Sequence, residues 1–94
     1  PYLVTFAKPY AFEGKEYTQL DLSGLEDLTS QQLFDATREF SMEYINPKPE
    51  ADAKFCCIIA GRAGGQPSEF FNALPIKEGV KVRDIVFSFF HGED

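Results

Sequence analysis

One histidine, two adjacent cysteines and a scatter of carboxylates are the groups in this chain that could do chemistry. His91 stands four residues from the end of the sequence, and no Ser, Cys or Asp beside it forms a nucleophilic triad. Near the end of a helix, an imidazole serves as a favourable partner for the C-terminal dipole. Cys56 and Cys57 are neighbours, and a bridge between them would need strained geometry because consecutive Cα atoms lie only about 3.8 Å apart. Two reduced, buried thiols are expected. One His and two adjacent Cys do not make ligand spacings such as C-x-x-C or H-E-x-x-H, so no metal and no cofactor is expected. Glu26-Asp27, Glu50-Asp52 and Glu93-Asp94 read as solvated punctuation around helix ends and the tail. A general acid needs a partly desolvated cleft that no sequence feature marks. The chain is not expected to be an enzyme.

Gly61-Arg62-Ala63-Gly64-Gly65 could cradle a phosphate, or act as the G-x-x-G loop of a KH-type RNA module. The Walker pattern lacks its Lys-Ser/Thr here, and 9 Lys plus Arg against 15 Asp plus Glu leave a net charge of -6. Nucleic-acid binders carry a basic patch, so a nucleic-acid partner is disfavoured, and a glycine turn between two helices is the simpler reading. The other candidate is aromatic. Phe70, Phe71, Phe87, Phe89 and Phe90, half of the ten phenylalanines, crowd the last quarter of the chain. Phe87 lies well round the helix from Phe89, so the rings cannot all share one face. Phe70, Phe71, Phe87 and Phe90 are the candidate partner-binding residues, with a packed central helix as the competing explanation.

The elements that must position these residues are legible from pattern. Ninety-four residues make one domain, 1–94, with 44% apolar and 26% charged residues, a globular balance. Residues 1–22 read as a β-hairpin region: Tyr2 to Phe6, Tyr10 to Phe12 and Tyr17 to Leu22 are β-rich. Gly14 supplies the positive φ of a tight turn, Thr18, Leu20 and Leu22 alternate onto one face, and there is room for a third strand. Pro9, lacking a donor, suits an edge or a connection.

Thr29 with Gln32 reads as a capping box and Leu28 with Leu33 as a hydrophobic staple. The region 29–45 is therefore a helix, running from about Ser30 to Tyr44 with Leu33, Thr37, Phe40 and Tyr44 on one face. Asn46-Pro47-Lys48-Pro49 ends it. Phe55 to Ala60 is apolar throughout and periodicity cannot separate strand from helix, but acidic residues before it and glycines after it favour a central helix over 50–61. The C-terminal helical region, 68–91, holds a short turn at Pro67-Ser68-Glu69 and a last helix from about Lys77 to Phe90, with Val82, Ile85, Val86 and Phe89 on one face. The fold class is α+β, an N-terminal β-hairpin or small antiparallel sheet followed by three main helices. Phe6, Phe12, Phe34, Phe40 and Phe55 are expected in its core. No run reaches the roughly 18 apolar residues of a membrane span, and the start lacks the order of a signal peptide, so a cytoplasmic location is expected.

The run from Phe6 through Pro9-Tyr10-Ala11-Phe12-Glu13-Gly14-Lys15-Glu16-Tyr17 to Leu25, followed by Leu28-Thr29, resembles the phage tail assembly chaperones of long-tailed phages and prophages. Glu69-Phe70-Phe71-Asn72-Ala73-Leu74-Pro75 and Val80 to Phe90 are similar to the C-terminal part of the same proteins. The resemblance covers most of the chain but rests on hydrophobic patterns and turns. It implies a non-enzymatic protein, made in the bacterial host and absent from the mature virion. Its partners would be the hydrophobic tape measure protein and the tail tube protein, and it could form a homo-oligomer. Many such proteins also have a longer, frameshifted form. The rival readings are a nucleic-acid-binding regulator using Gly61 to Gly65 and a structural phage tail component. Cys56-Cys57 and the Gly61 to Gly65 turn tie to no chaperone feature, and Met42 is the only methionine, so adaptability would come from Phe rotamers or oligomerisation.

Overall fold

The computed structural model describes residues 2–92, so the acidic pair Glu93-Asp94 lies outside the described residues. The chain begins with two strands, β1 (Leu3–Phe12) and β2 (Lys15–Asp21), paired antiparallel. Between them Glu13 and Gly14 both take positive φ, 51° and 78°, the mirror-image turn whose twist matches that of the strands. Glycine bears this without a Cβ clash.

Tyr2 to Phe6 and Tyr10 to Phe12 are parts of one strand, and the sheet has two strands rather than three. The ladder breaks between Thr5 and Tyr10: Thr5 faces Gln19 and Tyr10 faces Tyr17, so several extra residues of β1, Pro9 among them, bulge out. The break also resets the alternation along β2. Leu20 and Leu22 are buried, whereas Thr18, expected beside them, is exposed.

Helix α1 (Ser30–Ser41) starts where the capping box places it, with the Thr29 N–H donating to Gln32 Oε1 at 3.2 Å. It stops three residues before the expected end, and Tyr44 follows it with its ring stacked 5.2 Å from Phe40. Its buried face is Ala36 and Phe40. Phe34 is 59% exposed, which corrects its expected place in the core: it lies about 160° round the helix from Ala36.

Helix α2 (Ala53–Gly64) begins later and ends later than 50–61. Pro49–Ala51 forms a separate 3₁₀ turn, and Asp52 is the N-cap, accepting from Lys54 N–H at 2.8 Å. The helix continues through Gly61 to Gly64, and Gly65, at φ 72°, closes it. The expected glycine loop is therefore helical backbone. Gly61 is needed for packing, since a Cβ there would run into Gln66 O and the Phe71 ring. Phe55, Cys56, Ile58, Ile59 and Ala60 are buried on α2, which touches α1, both C-terminal helices and the two 3₁₀ turns, Ser23–Asp27 and Pro49–Ala51, as an all-round apolar helix must.

Helices α3 (Ser68–Asn72) and α4 (Ile76–Phe90) complete the α+β fold. Phe70 sits at the centre of an aromatic hub, with Tyr10, Phe12, Tyr17 and Phe71 at centroid distances of 5.1–5.2 Å in edge-to-face arrangements. The Tyr10 hydroxyl donates to Phe70 O at 2.7 Å, and burial raises the pKa of that phenol. The hub joins the hairpin to the helices. A second join is polar: Glu78, buried on α4, accepts the Ala7 N–H through Oε2 at 2.8 Å. Its Oε1 lies 3.0 Å from Lys81 Nζ, an ion pair, and Lys81 also donates to Thr5 O at 3.1 Å. The β1 bulge is thus pinned to α4 through the Ala7 N–H and the Thr5 carbonyl. These bonds hold the Glu78 carboxyl below the usual glutamate range, the Ala7 N–H first.

Candidate functional site

The expected partner-binding phenylalanines divide. Phe70 and Phe71 are buried, at 0% and 7% exposure, which corrects their reading as an exposed patch: the hairpin covers one and the turn after α2 the other. Phe87 and Phe90 stay at the surface. Phe87 stacks on His91 at 4.1 Å, and His91 Nδ1 lies 2.9 Å from Phe87 O, the bond a protonated Nδ1 donates to a helix-end carbonyl. Phe90 is half-buried against Phe55, 6.1 Å away, with its other side open.

That open side belongs to an apolar groove of about 150 Å³, lined by Leu25, Leu28, Leu33, Ile59, Phe89 and Phe90 together with Thr29 and Ser30. Three local decisions build it. The 3₁₀ turn Ser23–Asp27 buries Leu25 as the floor. The chain entering α1 sets Leu28 and Leu33, the expected staple pair, side by side as one wall. The last turn of α4 supplies Phe89 and Phe90 as the other wall, with Phe89 braced edge-on by Tyr2 at 6.3 Å. Tyr2 in turn donates to Glu26 Oε2 at 2.7 Å, so an acidic group stands beside the groove, and Asp27 is exposed next to it.

Small-molecule sites usually occupy roughly 300–1,000 Å³, so this groove suits one or two apolar side chains of a longer partner. A larger depression of about 380 Å³ is polar, bordered by Glu39, Glu43, Tyr44 and Glu69. Arg62 spans its neighbourhood, paired with Glu39 at 3.1 Å. Sequence reasoning found Phe90 and missed its neighbours. The staple pattern at Leu28 and Leu33 was the available signal, and it marks a wall as readily as a helix start.

The thiols offer little reactivity. Cys56 is buried, and burial together with the adjacent Cys57 pushes its pKa up to about 12. Cys57, expected buried, is only partly so, and its pKa is also raised by burial. Among the described residues no group of three or more His, Cys, Asp or Glu could hold a metal ion, and no helix is long and apolar enough to cross a membrane. Compared with known protein families, curated proteins and solved structures, the chain shows no match.

Proposed function

We propose that this protein is a non-catalytic tail assembly chaperone of a long-tailed phage or prophage. It acts in the bacterial cytoplasm, holding apolar segments of the tape measure protein while tail tube subunits assemble. It is absent from the finished particle. The observation that carries the reading is the groove between α1 and the end of α4, apolar on its floor and both walls and flanked by Glu26 and Asp27. A helix-in-groove mode fits such a site: one or two apolar anchors enter, and basic residues beside them meet the acidic flank. The net charge of -6 would keep the complex soluble. The sequence resemblance supplies the identity of the client. The helical conformation of Gly61 to Gly64 leaves the rival nucleic-acid reading without its loop.

Co-expression with the tape measure protein of the same phage tests this directly. The client should become soluble and co-purify, and purified virions should lack the chaperone. A client equally insoluble with and without this protein, and never co-purifying, would refute the proposal.

A further inference from the structure

Gly79 stands inside α4 with no internal reason to be glycine. It is not among the glycines with positive φ, and a Cβ there would meet nothing within 4 Å. Glycine in a helix costs stability relative to alanine, and its use is to let another group approach the backbone closely. The space in front of it is an apolar groove of about 230 Å³ between α2, α3 and α4, walled by Cys57, Phe71, Ile76 and Val80. Cys57 and Ile59 are about 160° apart round α2, so this groove and the one between α1 and the end of α4 lie on opposite sides of that helix. Ile76 is 82% exposed, which leaves the groove open along its lip. An open lip suits a side chain of a protein segment, whereas a small apolar ligand needs enclosure.

At its α3 end the groove runs into the polar depression. Lys54 and Asn72 border both, joined by the Lys54 Nζ bond to Asn72 Oδ1 at 2.9 Å. Beyond them stand Glu39, Glu43 and Glu69. Arg62 pairs with Glu39, whereas Glu43 and Glu69 form no ion pair among the described residues. Lys54 is the one cation on the border of the depression against three carboxylates, so its field is negative.

We infer that this face docks a basic amphipathic helix of a protein partner. A bulky apolar side chain of that helix seats against Gly79, and a Lys or Arg about one turn along it reaches past Lys54 and Asn72 to Glu43 and Glu69. The Tyr44 ring, 42% exposed on the border of the depression, offers the same cation its face. An acidic segment with the same apolar anchor would set its carboxylates against those already there. The surface is separate from the α1–α4 groove and does not rest on the tail-assembly reading.

The test uses the full chain carrying Leu33→Glu, which disables the α1–α4 groove. The probes are two fluorescent synthetic helical peptides, one of Leu, Ala and Lys and one of Leu, Ala and Glu, followed by anisotropy. The Lys peptide should bind, and the Glu peptide at least about tenfold more weakly. Gly79→Leu, which fills the groove with a good helix former, should weaken the Lys peptide at least about tenfold, as should Ile76→Gln if Gly79→Leu folds poorly. Glu43→Lys with Glu69→Lys should weaken it similarly. Gly79→Ala should raise Tm by about 2–8 °C, because nothing inside the fold needs the glycine. No binding of the Lys peptide, equal binding of the two peptides, or binding undiminished by the groove variants would overturn the inference, as would a Gly79→Ala variant less stable than its parent. Concentration-dependent dimerisation in sedimentation, abolished by Gly79→Leu, would give the face to a second copy and overturn it too.

Discussion

Phe70 and Phe90 are the same residue type, twenty positions apart in the phenylalanine-rich C-terminal region, and they do opposite things. Phe70 lies under the hairpin, with aromatic rings around it and the Tyr10 hydroxyl bonded to its carbonyl. Phe90 lies on the last turn of α4, packed on one side by Phe55 and bordering the groove with the other. The difference is coverage by other elements. The hairpin turns over α3 and seals the hub, while the end of α4, packed on Phe55 of α2 and braced by Tyr2, leaves a gap toward the start of α1. A ring with neighbours on every side stabilises the fold, and one with neighbours on one side is available to a partner.

Truncation should separate the two regions most strongly. Phe70→Ala is expected to cost about 3–5 kcal/mol, enough to abolish cooperative thermal melting in a domain this small. Phe90→Ala should cost about 1–2 kcal/mol, since less of its area leaves water on folding, and should melt cooperatively. Equal losses in urea titrations would erase the distinction.

The polar join beside the hub provides a smaller and pH-dependent effect. Glu78→Ala should cost about 1–3 kcal/mol near neutral pH by removing the charge-assisted, part-buried hydrogen bond to the Ala7 N–H. Because the folded carboxyl titrates below the ordinary glutamate range, its contribution is fully present above that range and is lost as pH falls through the depressed folded value. Glu78→Gln should therefore flatten the acid side of the stability profile. A Glu78→Gln profile parallel to that of the wild type between about pH 6 and pH 2 would show that the join carries no such linkage.

Much of the fold was legible because local chemistry specified it. Glu13-Gly14 permits a tight hairpin turn, Thr29 and Gln32 cap α1, and Val82 and Val86 fall on the buried face of α4. The misplaced residues are those decided by distant contacts. Phe34 looked like core by type, yet the burial of Ala36 and Phe40 turns it to solvent. Gly61 and Gly64 looked like a loop by composition, but the close approach of Gln66 O makes the first a packing glycine inside a helix. The candidate site was legible only at Phe90. Its other walls come from Leu25, Leu28, Leu33 and Ile59, three separate stretches brought together by α2, and no pattern within one stretch reports such a meeting. Glu78 was invisible for the same reason: its partner is Ala7, seventy-one positions away.

Leu33 and Phe34 offer the sharpest test of the groove, because both are apolar, exposed and adjacent on α1, and only Leu33 borders the groove. Leu33→Glu and Phe34→Glu should each change stability by no more than about 0.5 kcal/mol, as surface substitutions do. The decisive measurement is the amount of tape measure protein that co-purifies with each variant after co-expression. The account predicts capture lost in Leu33→Glu and retained at the wild-type level in Phe34→Glu. Equal capture by the two variants, whether both retained or both lost, would contradict the assignment of client binding to this groove.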